Sequence, residues 1–195
     1  MYGISGSLFE SIFNNFLNDR YALSGFERSF LEFPREFPGF LVVFVSAGLW
    51  YLSNRRLGGV SFLLSATGAI LISFLAPSYA FMVIYLFIYS MGQHLIMPVS
   101  SAIGMELADK GKTGQRLGQM NAIRNLATVL GSFLIFLGFK YLGFTFEFSF
   151  ILAAMGFIIA AVLMFSMKPE GHGEPKPFLK LHKEYRLYYI LMVLS

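Results

Sequence analysis

Seven polar residues sit in apolar surroundings where lipid makes them costly: Glu10 and Asn14 near the start of the chain, Gln93 and His94 further on, and Asn121, Arg124 and Asn125 beyond a short charged loop. Such residues face a protein interior or a water-filled path, and all seven are candidates for contacting a substrate. A carboxyl in low dielectric can carry a proton unless a cation holds it ionised, so Glu10 is either a proton carrier or cation contact, or half of a buried ion pair. His94 can relay protons, since imidazole changes charge near neutrality, or it sits neutral with Gln93, Ser90 or a backbone carbonyl as partner. Arg124 does not shed its proton and must find a carboxylate, carbonyls or an anionic substrate, unless it snorkels to the headgroups. Asn121, Asn125, Thr128 and Ser132 extend a polar stripe around it at three- and four-residue spacing.

Other chemistry has little support. There is no Ser-His-Asp arrangement, P-loop or dinucleotide fingerprint, so neither an enzyme nor a cofactor is expected. No second histidine lies near His94 on the same segment, which leaves no metal site, and His172 and His182 fall in a polar linker. The absence of cysteine removes disulfides, thiol metal sites and a Cys nucleophile.

The elements that position these residues are membrane helices. The 195-residue chain is 56% hydrophobic and only 13% charged, with a mean hydropathy of +0.63, whereas a soluble domain carries roughly 25% charged residues. The 23 phenylalanines suit lipid-facing surfaces and interfacial belts. A formal charge of +4 resides in a few loops rather than in a stripe with stacking aromatics, so nucleic acid is not an expected partner.

Six segments approach the roughly 20 apolar residues that a span needs. The first, Tyr2 to Tyr21, is the most polar, but Gly3, Ser7, Glu10, Asn14 and Asn18 share one helical face while Leu8, Phe9, Ile12, Phe13 and Phe16 cover the rest. Without a Lys/Arg-rich polar face it reads as a span rather than an interfacial helix. Ser24-Gly-Phe-Glu27 is a capping box that starts the second helix, which runs to about Leu52. Pro34 and Pro38 predict a kink in it, and its charged outer part lies at the outer interface or faces the central cavity. Ser53 to Gly59 reads as a tight loop. The third helix follows from Gly59 to Ala76, with Ser61, Ser65, Ala69 and Ser73 as a small-residue ridge. The fourth runs from Tyr79 to about Leu107, the fifth from about Leu117 to Tyr141 and the sixth from Phe146 to Met167. Residues 1–167 thus form the bundle, 168–186 a Gly/Pro-rich polar linker, and 187–195 the start of a further helix too short to span.

The loops after the second, fourth and sixth helices hold ten Lys and Arg residues; those after the first, third and fifth hold four, namely Arg20, Arg28, Arg35 and Lys140. That bias places the even loops and both chain ends in the cytoplasm.

Six helices, short basic loops after the second and fourth, and a polar linker into a new apolar segment resemble the amino-terminal half of a major facilitator superfamily transporter. The family's loop after the second helix usually reads Gly-x-x-x-Asp-Arg-x-Gly-Arg-Arg. Here Gly48-Leu-Trp-Tyr-Leu-Ser-Asn-Arg-Arg-Leu-Gly-Gly59 keeps the Arg and Gly character, with Asn54 or Arg55 where the Asp would stand. The resemblance implies a gating loop in which Asn54, Arg55 and Arg56 meet Glu106 or Asp109. It implies an all-α integral membrane fold of two inverted three-helix repeats with a site at their interface. The Gly-Pro signature of drug antiporters is missing from the fifth helix. The implied function is secondary transport of a small solute by alternating access, with protons as coupling ion, in a bacterial inner membrane. A second six-helix half, from a longer chain or a homodimer, would complete it. The alternative is a truncated or oligomerising membrane protein without transport of its own.

Overall fold

A computed structural model describes residues 2–168, so the linker and the start of a seventh helix expected beyond them lie outside the described residues. The six helices are α1 (Tyr2–Tyr21), α2 (Gly25–Gly48), α3 (Asn54–Leu75), α4 (Tyr79–Glu106), α5 (Thr113–Tyr141) and α6 (Phe146–Ser166). Four of them, α3 to α6, are long and apolar enough to cross a membrane. The charges and amides of α1 and α2 keep those two below that standard.

Local chemistry sets the boundaries. Ser24 and Glu27 form the reciprocal capping box at the start of α2, and the helix continues through Pro34 and Pro38. Two helices begin earlier than the sequence suggests. Ser53 accepts a hydrogen bond from the Arg56 backbone N–H and N-caps α3, so Asn54, Arg55 and Arg56 belong to its first turn rather than to a loop. Likewise α5 starts at Thr113, which moves Arg124 deeper: it is the twelfth residue of the helix, roughly 16 Å from its start at 1.5 Å per residue.

The core is aromatic and small at once. Phe9, Phe13, Tyr89, Phe150 and Phe157 are fully buried, with the Phe9 and Tyr89 rings stacked at 3.6 Å between centroids. The phenylalanines of α1 therefore pack inward, and its Glu10, Asn14 and Asn18 point away from the core. Where α3 meets α4, the buried ridge of Ser61, Ser65 and Ala69 receives Gly92, at which any Cβ would overlap the Ser61 carbonyl and Ser65. On the opposite crossing, Gly131 of α5 lies directly on Ser7 and Ile4 of α1.

Helix α3 packs on α4 and α6, α1 on α5 and α6, and α2 on α4, with a lighter contact between α4 and α5. α2 and α5 are the least enclosed. On α2 the phenylalanines Phe26, Phe30, Phe33, Phe37, Phe40 and Phe44 form an exposed stripe at alternating four- and three-residue steps. The opposite stripe, Leu31, Arg35, Pro38 and Val42, turns inward.

Candidate functional site

A cavity of about 390 Å³ opens at mid-height of the bundle, walled by α1, α2, α4 and α5. Its α1 wall is Gly3, Gly6, Ser7 and Glu10, one face of the helix at three- and four-residue steps. Four of the seven expected residues line it: Glu10, Gln93, His94 and Arg124. Asn14 lies one turn beyond Glu10, and Asn121 and Asn125 flank Arg124; all three are exposed and none is among the lining residues.

The lining also contains residues not singled out from the sequence: Arg35, Glu36, Tyr89 and Ser90. Of the two placements open to the charged part of the second helix, Arg35 takes the cavity: it sits midway along α2 and donates to the Glu10 carboxylate at 2.6 Å, with Glu32 at 3.6 Å from its other amino group. The sequence signal was available in the inward stripe that Arg35 shares with Leu31, Pro38 and Val42. Its backbone is tied to α4, because the Ser90 hydroxyl donates to the Arg35 carbonyl. Buried Tyr89 directs its hydroxyl toward Glu10 as well. Of the two expectations for Glu10, the geometry is that of an ion pair, so a proton on Glu10 competes with Arg35 for the carboxylate.

His94 lies against the backbone of α2 at Gly39, where an added Cβ would come within 3.0 Å of the ring. This approach brings its Nε2 to 3.5 Å from a Glu36 carboxylate oxygen, a salt bridge whenever the imidazole is protonated. Gln93 donates its amide N–H to the Ser65 hydroxyl at 3.0 Å. Ser65 in turn spends its proton on the Ser61 carbonyl.

Arg124 presents its guanidinium from α5. Its backbone carbonyl is pressed against Gly3, where a Cβ would stand 2.6 Å away, and Thr128 one turn on donates to the same carbonyl at 3.1 Å. Among the described residues no carboxylate approaches Arg124 within ion-pair distance.

A second cluster lies at the end of the bundle where α3 begins and α4 finishes. Arg55, 9% exposed, donates to Glu106 at 2.6 Å. The other members expected in this loop lie apart: Asp109 accepts from Lys112 at 3.4 Å, and Asn54 and Arg56 are exposed. The bundle thus carries a charged cavity at mid-height and, apart from it, a partly buried ion pair at one end. Such an arrangement can bind and orient a small polar solute and can exchange protons with it; it offers no activated nucleophile.

A family model described as Major Facilitator Superfamily matches residues 35–193, from Arg35 on α2 to beyond the last described helix. No curated protein matches the chain. The α1 wall of the cavity lies outside the matched range.

Proposed function

The chain belongs to the major facilitator superfamily, and from that premise we propose that it forms one six-helix half of a secondary transporter moving a small solute by alternating access. In this reading α1 and α2 span the membrane beside α3 to α6. Their low apolarity reflects a surface turned to the central path instead of lipid. The helix packing supports two inverted repeats. Exchanging the first three helices with the last three carries the α1–α5 contact onto α4–α2, carries α1–α6 onto α4–α3, and leaves α3–α6 unchanged.

The observation that carries the reading is the mid-height cavity, in which four helices converge ionisable side chains. Glu10, Gln93, His94 and Arg124 contact substrate there, and Asn14, Asn121 and Asn125 face the part of the path that a second half closes. Glu10 and His94 are the proton carriers. Protonation of Glu10 frees Arg35 for substrate, and protonation of His94 offsets the Glu36 charge beside it. The Arg55–Glu106 pair, with Asn54, Arg56 and Asp109 around it, latches the cytoplasmic end. The bundle of residues 1–167 then sits in a bacterial inner membrane with both ends of the chain cytoplasmic. Its second half comes from the same longer chain or from another copy.

The test is proton flux in proteoliposomes across a panel of neutral, cationic and anionic solutes, with and without Glu10→Gln. Solute-driven acidification in the wild type and its loss in the variant are expected. Flux that is unchanged by Glu10→Gln would remove Glu10 from coupling; no flux for any solute would remove the transporter reading.

A further inference from the structure

The cavity's polar groups differ in what they have left to offer a ligand. Arg35 is engaged by Glu10 and Glu32, and Glu36 faces His94. Arg124 is the exception: among the described residues it has no acidic partner, although it lines the cavity about three turns inside α5. Its backbone is held in place, since Gly3 packs against its carbonyl and the Thr128 hydroxyl donates to it. Arg124 is exposed, so this guanidinium lines the cavity with its donors free to take a planar anion.

Gln93 supplies the second handle, and a hydrogen-bond chain fixes its orientation. Ser61 gives its hydroxyl proton to the Leu57 carbonyl and Ser65 gives its own to the Ser61 carbonyl. The Ser65 oxygen is therefore left as an acceptor and takes the Gln93 amide N–H. With its nitrogen committed to α3, Gln93 turns its Oε1 toward α1, where the position of a Cβ on Gly6 would be 3.9 Å from it. The cavity thus holds a fixed acceptor that asks for a neutral donor such as a hydroxyl. Between the Gln93 oxygen and Arg124 runs the Gly3–Gly6 face of α1, a floor without side chains.

We propose that this cavity selects a small hydroxylated carboxylate, a hydroxy acid or sugar acid. Its carboxylate lies on the Arg124 guanidinium, a hydroxyl donates to Gln93 Oε1, and the carbon chain lies over the Gly3–Gly6 face. The proposal rests on reading the cavity as a transport site, and it narrows the substrate class. A neutral sugar would make no ion pair with Arg124, and a simple fatty acid would leave the half-buried Gln93 oxygen without a donor; each lacks one hydrogen-bonding contact that the hydroxylated acid makes. A dianion is disfavoured because only one cation is unengaged, with Glu10 and Glu36 close by.

The experiment measures binding by calorimetry to the detergent-purified full chain, using two matched sets of probes: glycerate, propionate and glycerol, and gluconate, hexanoate and glucose. In at least one set the hydroxylated acid should bind about tenfold or more tighter than both analogues, the margin expected for a lost charge-assisted or buried hydrogen bond. Arg124→Gln should bring the acid down to the level of the neutral polyol, and Gln93→Leu down to that of the plain carboxylate. Gly6→Ala should weaken the hydroxylated acid about tenfold by raising the floor, with no change in melting temperature, because its Cβ meets nothing closer than 3.9 Å. Equal binding within both sets, or no binding by either hydroxylated acid, overturns the proposal. So does an Arg124→Gln variant that melts lower yet keeps its selectivity, which would give Arg124 a structural partner. If liposomes instead move a neutral or cationic solute with Glu10-dependent proton flux, the substrate class is overturned while the transporter reading stands. Absence of flux for every solute overturns both.

Discussion

Two ion pairs in this chain have the same 2.6 Å separation and different surroundings. Arg55–Glu106 joins the first turn of α3 to the last turn of α4, with side chains 10% and 25% exposed. Arg35–Glu10 bridges the middles of α2 and α1 at the wall of the cavity, with side chains 27% and 42% exposed. The first is the more enclosed and lies where α3 packs on α4; the second faces the cavity, with Arg35 on one of the least enclosed helices. Charges taken out of water interact strongly and are expensive to separate, whereas charges still in contact with water exchange partners readily. Equal length therefore conceals unequal function: one pair suits holding an end shut, the other suits being broken in every transport cycle.

The largest expected effect tests the enclosed pair. Arg55→Leu deprives Glu106 of its guanidinium and should cost about 2 kcal/mol, between the values for a solvated and a buried pair. It should appear as a clear drop in melting temperature in detergent. Glu10→Gln should lower stability by about 1 kcal/mol or less, as for a pair in contact with solvent, while abolishing proton-coupled uptake. If the two variants destabilise equally, the distinction between latch and relay fails.

Ionic strength sharpens the same contrast with a smaller effect. Raising salt from 0.1 M to 1 M shortens the screening length from about 10 Å to about 3 Å. A double-mutant cycle on Glu10 and Arg35 should then lose most of its coupling energy, and a cycle on Arg55 and Glu106 should keep most of its own. Loss of both couplings would mean that water reaches the latch as freely as the cavity.

How much of this was legible beforehand depends on the range of the interaction. Tyr2–Tyr21 as a helix, the Ser24–Glu27 capping box and the ridge Ser61–Ser65–Ala69 are local patterns, and the observed elements follow them. Periodicity put Glu10 on the polar face of α1, but it did not reveal that the opposite phenylalanine face would be the core. Either face of an amphipathic membrane helix can turn inward until its neighbours are known. The same limit hid Arg35. Its partner is 25 residues away, and in a chain with several mixed-charge stretches nothing local says which one docks on Glu10. The inward stripe of Leu31, Arg35, Pro38 and Val42 was readable, yet the density of charge around it fits the membrane surface as well as the cavity, so both placements stayed open. The depth of Arg124 was hidden by a simpler cause: α5 begins at Thr113, and its first residues Thr113, Gln115 and Arg116 are helical although not apolar, whereas hydropathy starts a helix only where apolar residues begin.

The smallest effect concerns Asp109, which the family resemblance groups with the latch. Its carboxylate accepts from Lys112 at 3.4 Å within the same loop, and the two side chains are 63% (Lys112) and 80% (Asp109) exposed. A pair of this kind is solvated in both partners and loses little when it opens. Asp109→Asn should therefore leave the melting temperature and the rate of cysteine labelling at Ser53, beside the latch, unchanged, whereas Glu106→Gln should lower the first and raise the second. Equal acceleration of labelling by both substitutions would spread the latch over the whole α4–α5 loop. The single enclosed pair would then no longer be what closes that end, and the contrast with the cavity pair would be one of position alone.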